Sequence, residues 1–125
     1  MSGFTRNRMH NSSNPHQGEA KRVLCVCSAG LLRSPTAAWI LGQEPWGYNT
    51  RAAGHEENYA LIHADEVLYG WADLVVCMNE QQAETARKWV RKGVPVYALN
   101  VLDIYGYRDP GLVRIMKDEF NRLDI

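Results

Sequence analysis

The sequence predicts a three-layer α/β/α domain built on a four-stranded parallel sheet, on two observations. From Arg22 onward, short apolar runs alternate with longer amphipathic ones, the rhythm of strands joined by crossover helices. The chain's 125 residues, 46% of them hydrophobic, can bury the core of one ordinary domain but are too few for two.

The elements follow in order. Residues 1–20 are rich in Asn, Ser, Gly, His and Arg and nearly free of aliphatic side chains. They cannot offset the entropy cost of ordering, so they read as a flexible polar tail ahead of a domain at 21–125. Val23–Cys27 is a continuous apolar run and reads as a buried strand, followed by a helix over Pro35–Gly42 opened by Ser34. A second strand is expected at Tyr48–Ala53, a helix within Tyr59–Tyr69, and a third strand at Leu74–Met78. Glu80–Arg91 reads as helix, Val94–Leu99 as the fourth strand, and Leu112–Leu123 as the last helix, with Asp109 as N-cap and Pro110 in its first turn.

Charge and cysteine usage narrow the function. Fourteen basic and fourteen acidic side chains cancel, so no overall field favours nucleic acid or an anionic membrane, and any anion site must be local. No apolar stretch could serve as a secretory core or span a bilayer. Cys25, Cys27 and Cys77 are an odd number without metal-type pairing, which disfavours a disulfide framework and a zinc knuckle and fits a reducing, cytoplasmic setting. The histidines His10, His16, His55 and His63 lack the spacing of a metal helix. Neither a metal nor another cofactor is expected.

The chemistry concentrates in Val23-Leu-Cys-Val-Cys-Ser-Ala-Gly-Leu-Leu-Arg-Ser-Pro-Thr36, where Cys27 stands six residues before Arg33. In an open parallel sheet, ligands bind beyond the carboxyl ends of the strands, which is where this strand, loop and helix start place the cysteine. The intervening Ser28, Ala29, Gly30, Leu31 and Leu32 can curl so that successive N–H groups point inward, a cradle for phosphate oxygens against a helix N-terminus. Gly30 helps such a curl by tolerating positive φ. Inward dipoles favour a thiolate over a thiol, and a thiolate attacks phosphorus at neutral pH. Arg33 offers a planar, permanent cation able to hold two equatorial oxygens. Ser34 can donate a hydrogen bond to the sulfur when it leaves. The plainer reading, a small buried cysteine and a surface arginine, does not explain why the pattern falls on the first strand-to-helix turn.

These residues resemble the low-molecular-weight protein tyrosine phosphatases, and the resemblance extends over about Lys21–Leu123. Arg51-Ala-Ala-Gly54 is similar to that family's Ser-Ala-Gly turn, and Ala72-Asp-Leu-Val-Val-Cys-Met78 to its third strand. Leu99-Asn-Val-Leu-Asp-Ile-Tyr-Gly-Tyr-Arg-Asp-Pro-Gly-Leu112 aligns without a gap to the last segment of a compact bacterial branch. The resemblance implies a flavodoxin-like phosphatase I topology with strand order 2-1-3-4. It also implies a cytoplasmic hydrolase of phosphomonoesters, a protein tyrosine phosphatase acting through a cysteinyl phosphate on phosphotyrosine proteins or small aryl phosphates. The alternative is a catalytically weak module that binds phosphate or phosphoproteins on the same fold.

The family's chemistry requires a carboxylic acid that protonates the leaving oxygen and then activates water. Asp103 occupies the acid position in the ungapped comparison, with Tyr105 matching the aromatic that follows. Asp109 is the other candidate, being followed by proline, yet an aspartate before a helix-opening proline is more economically an N-cap. Tyr105 and Tyr107 could flank an aromatic phosphoester or equally pack on the domain surface. Trp39, Trp46, Trp71 and Trp89 read as core or packing residues, and of these Trp46 alone falls where the wider family carries a substrate-flanking loop. The chain departs from the family in having Ala29-Gly30 for Gly-Asn, Leu32 for a second cysteine, and Ala52 for a serine. The loop's support must therefore be built differently, and the family's protective disulfide is unavailable in its usual form. A thiol-dependent arsenate reductase would need two further downstream cysteines where only Cys77 exists, and a sugar-transport phosphocarrier would lack Arg33.

Overall fold

A computed structural model describes residues 20–28, 33–55, 62–101 and 105–125 of the chain. They form β1 (Arg22–Cys27), α1 (Arg33–Leu41), β2 (Asn49–Gly54), α2 (Glu66–Trp71), β3 (Leu74–Cys77), α3 (Glu80–Trp89), β4 (Val96–Ala98) and α4 (Pro110–Leu123). The strands make one parallel sheet in the order β2-β1-β3-β4. The expected α/β class and strand order are both present. Apart from Ala20, the expected tail lies outside the described residues.

β1 is central, with Val23 opposite Thr50 on one side and Leu74 on the other, and Val26 opposite Ala53 and Cys77. Because strand side chains alternate, Val23, Cys25 and Cys27 enter a core with Ile40 and Leu41 of α1 and Leu112, Met116 and Phe120 of α4. Leu24 and Val26 enter the opposite core with Leu68 and Tyr69 of α2 and Ala83 and Ala86 of α3. Burial on both faces explains why β1 is apolar without interruption. The alternation also separates the thiols: Cys25 and Cys27 lie in one layer and Cys77 in the other. Burial pushes the Cys77 thiol up to about 12 and that of Cys25 higher still, which makes both poor nucleophiles.

The helix ends show how local sequence sets boundaries. The Asp109 carboxylate accepts from the Gly111 N–H at 2.8 Å with Pro110 in the first turn, the expected cap of α4. Asn79 caps α3 in the same manner, accepting from the Gln82 N–H at 2.9 Å. At α1 the expectation of Ser34 as the opening residue is corrected. The helix already includes Arg33 and Ser34, because the Ser34 hydroxyl is turned toward the ends of β1 and β2. The α2 region also ends later than expected, at Trp71, where the Ala72 N–H still bonds the Leu68 carbonyl. Among the described residues no helix is long and apolar enough to cross a membrane.

At the end of the sheet away from Cys27, Asp73 joins β1 to β3. Its carboxylate accepts from the Arg22 backbone N–H at 3.0 Å and from the Arg22 and Arg91 guanidinium groups at 3.3 and 2.7 Å. Its own N–H donates to the Arg22 carbonyl at 2.7 Å. The Arg22 hydrogen bond is the main cause holding the Asp73 carboxyl well below the usual carboxylate range. A depressed folded-state value stabilises the protein fully above the unfolded value of about 3.9, and the contribution is lost progressively as pH falls from there through the lower folded-state value. Asp73→Asn is therefore expected to cost about 1 kcal/mol at neutral pH, a figure kept small because the partners are partly solvated. In denaturant titrations the gap between wild type and variant should narrow below about pH 4, and a pH-independent gap would assign the effect to something other than this charge cluster.

Candidate active site

β1 delivers Cys27 to the carboxyl edge of the sheet, and the ends of both neighbouring strands hold it there. The Cys27 carbonyl accepts from the His55 N–H at 2.7 Å, and the Val26 carbonyl from the Met78 N–H at 3.1 Å. That Met78 N–H is shared with the carboxamide oxygen of the buried Gln82, at 2.9 Å. On the other side, Gly54 is tied by the Ala64 N–H at 2.8 Å. These bonds fix the Cys27 backbone relative to β2 and β3.

The residues flanking the proposed cradle are buried: Cys27 is 3% exposed, Arg33 4% and Ser34 0%. The Cys27 Sγ and Ser34 Oγ atoms are 3.1 Å apart, within hydrogen-bonding reach for sulfur. The same hydroxyl lies 3.3 Å from the Ala53 carbonyl, to which it donates. One hydroxyl proton thus has two acceptors. When the sulfur is a thiol, S–H donates to Oγ and the hydroxyl bonds Ala53; when it is a thiolate, the hydroxyl can turn to it. Ser34 can follow a change of charge on Cys27 without moving from its place in α1.

Arg33 donates through Nη1 to the Val101 carbonyl at 2.8 Å. Val101 in turn is held by its own N–H on the Met78 carbonyl at 3.0 Å. The arginine of the first loop is thereby attached to the chain two residues before Asp103 in sequence. Support for the site therefore comes in part from backbone carbonyls: Ala52 offers no hydroxyl, but the Ala53 carbonyl beside it accepts that of Ser34.

Of the residues expected from sequence, Cys27, Ser28, Arg33, Ser34, Tyr105, Tyr107 and Asp109 are described, whereas Ala29, Gly30, Leu31, Leu32 and Asp103 lie outside the described residues. The Asp109 carboxylate is engaged at the start of α4. Tyr105 is half-buried against the core that contains Cys27. Tyr107 is 48% exposed, with the Arg108 guanidinium 4.8 Å from its ring centre. Trp46 packs, as expected of the tryptophans, its ring meeting Phe120 edge-on at 5.9 Å. Sequence reasoning missed Thr36 and Arg108, whose pairing joins distant segments: the Arg108 N–H donates to Thr36 Oγ1 at 2.9 Å. The i, i+3 spacing puts Thr36 on the helix face of Arg33 but gives no sign of a partner 72 residues on.

The fold is that of the low-molecular-weight phosphatases, and it is shared with the structure of a protein tyrosine phosphatase at a TM-score of 0.57 and 17% identity, covering 82% of this chain and 95% of that one. YwlE of Bacillus subtilis, in a mutant form, is similar at a TM-score of 0.59 and 20% identity over 85% of this chain and 100% of that one. The YwlE arginine phosphatase, as a cysteine-to-serine mutant with a phosphorylated active-site serine, is similar at 0.57 and 19% identity, over 83% and 96% of the two chains. No family model and no curated protein matches the sequence.

Proposed function

We propose that this chain is a cysteine-dependent phosphomonoester hydrolase, a tyrosine phosphatase of the cytoplasm that works through a cysteinyl phosphate. The observation that carries the reading is the contact of Cys27 Sγ with Ser34 Oγ at 3.1 Å beside the buried Arg33, at the carboxyl end of the central strand. In the first step the sulfur attacks phosphorus and the bond to the leaving oxygen breaks, with Asp103 supplying the proton that oxygen needs. In the second, the Asp103 carboxylate takes a proton from water, the water oxygen attacks phosphorus, and the S–P bond breaks. The departing thiolate accepts from the Ser34 hydroxyl. The backbone of Ser28–Leu32 and the Arg33 guanidinium hold the phosphoryl oxygens throughout. Tyr105 and Tyr107 stand as flanks for an aromatic leaving group.

The substrates are phosphotyrosine proteins or small aryl phosphates, and the likeness to YwlE supports testing phosphoarginine beside them. Rapid mixing with p-nitrophenyl phosphate is expected to release a burst of nitrophenol equal to the protein concentration, followed by slower turnover. Asp103→Ala should lower kcat by about 10²-fold or more, and Asp109→Ala far less, although it loses a helix cap. The reverse ranking in folded variants would move the acid to Asp109. Phosphate binding without any turnover by the wild type would make the chain a binding module instead.

A further inference from the structure

The segment before α4 is fastened to α1 by one residue, Arg108, in two different ways. Its backbone N–H donates to the hydroxyl of Thr36, a side chain that is 0% exposed. Its guanidinium lies 4.2 Å from the centre of the Trp39 ring, on the next turn of α1, and 4.8 Å from that of Tyr107. Both distances are within the range of cation–π attraction. The residue also adopts φ of 58°, a left-handed conformation that costs a non-glycine residue and persists only where its surroundings impose it. The turn it occupies is closed by the Asp109 N–H on the Gly106 carbonyl at 3.2 Å. Nothing in the turn itself requires arginine, since glycine would take this conformation without strain.

We infer that Arg108 is a positioning residue: it docks Tyr105–Asp109 on α1, the helix that opens with Arg33 and Ser34, and so fixes the leaving-group side of the site relative to the phosphate side. This rests on the hydrolase reading above. α1 acts as a ruler, with the phosphate clamp in its first turn and the docking groups Thr36 and Trp39 at three and six residues beyond Arg33. The neighbouring charged groups of this segment, Asp109 at the cap and Arg33 on Val101, are already engaged with backbone. The guanidinium's own contacts are with the two rings.

The test compares Arg108→Gly, Arg108→Ala and Arg108→Lys with wild type on two aryl phosphates, one with a good leaving group (dinitrophenyl) and one with a poor one (phenyl). Loss of positioning should fall on proton transfer to the leaving oxygen, so kcat/KM for phenyl phosphate, which reports the steps up to release of the phenol, should drop about tenfold while that for the dinitrophenyl ester changes less than about threefold. Competitive inhibition by inorganic phosphate should be unchanged, and Arg108→Lys, which keeps a cation over the rings, should recover part of the loss. Glycine removes the φ penalty, so a merely structural Arg108 would leave Arg108→Gly as active as wild type and at least as stable, which would overturn the proposal. An equal loss of kcat/KM on both esters, or weakened phosphate inhibition, would overturn it too. If wild type hydrolyses neither ester, the hydrolase reading fails, and amide exchange decides the docking separately. Peptides spanning 105–109 should exchange faster in Arg108→Gly, whereas unchanged exchange would refute docking.

Discussion

Cys27→Ser is expected to lower turnover of an aryl phosphate by at least about four orders of magnitude while leaving inhibition by inorganic phosphate within about threefold. A hydroxyl is a far weaker nucleophile than a thiolate unless a base takes its proton. Ser34, in contact with the Cys27 sulfur, offers another hydroxyl. It can donate to a charged sulfur, but it cannot serve as the base a serine would need. Phosphate affinity should survive because it depends on backbone N–H groups and on Arg33, which the exchange leaves in place. Steady-state kinetics with product inhibition reads both quantities. Turnover in the variant above about a hundredth of wild type would remove Cys27 from the nucleophile's role.

The largest loss of stability is expected on Phe120→Ala, about 3–5 kcal/mol. Phe120 is fully buried in the core between the sheet and α4. Its ring also receives Trp46 edge-on at 5.9 Å with the planes 79° apart, a geometry that adds to burial alone. Truncation would open a cavity between α4 and the connection from α1 to β2, in a close-packed interior unable to collapse onto it fully. Equilibrium unfolding in urea should show a lower midpoint with an unchanged slope, since the surface exposed on unfolding is nearly the same. A cost under about 1 kcal/mol would mean that the two elements are not held together at this contact.

The parallel sheet was legible because burial on both faces leaves a coarse mark. Val23–Cys27 and Leu74–Cys77 are apolar without a break, and the crossover helices between strands repeat at a regular interval. The cap at Asp109 was legible too, since Asp-Pro before an amphipathic run specifies its own hydrogen bond. Boundaries set by tertiary contacts were not. Ser34 has the chemistry of a helix cap, yet the Cys27 sulfur and Ala53 carbonyl compete for its hydroxyl from strands that sequence alone does not bring near. Trp46 gave no local sign of whether it would meet a ligand or Phe120. The Thr36 and Arg108 contact, 72 residues apart in the chain, has no signature of periodicity or turn chemistry.

The 3.1 Å separation of Cys27 Sγ and Ser34 Oγ is a distance between two different bodies, β1 and α1. Arg33, the sulfur's partner Ser34, and the threonine and tryptophan that receive Arg108 all ride on the single nine-residue helix α1. If that helix shifts as a rigid rod, these groups travel by a common vector and keep their mutual geometry. Such a shift would change the gap across which sulfur meets hydroxyl. Ile40 and Leu41, pressed against β1 from the far half of the same helix, set how stiffly that gap is held.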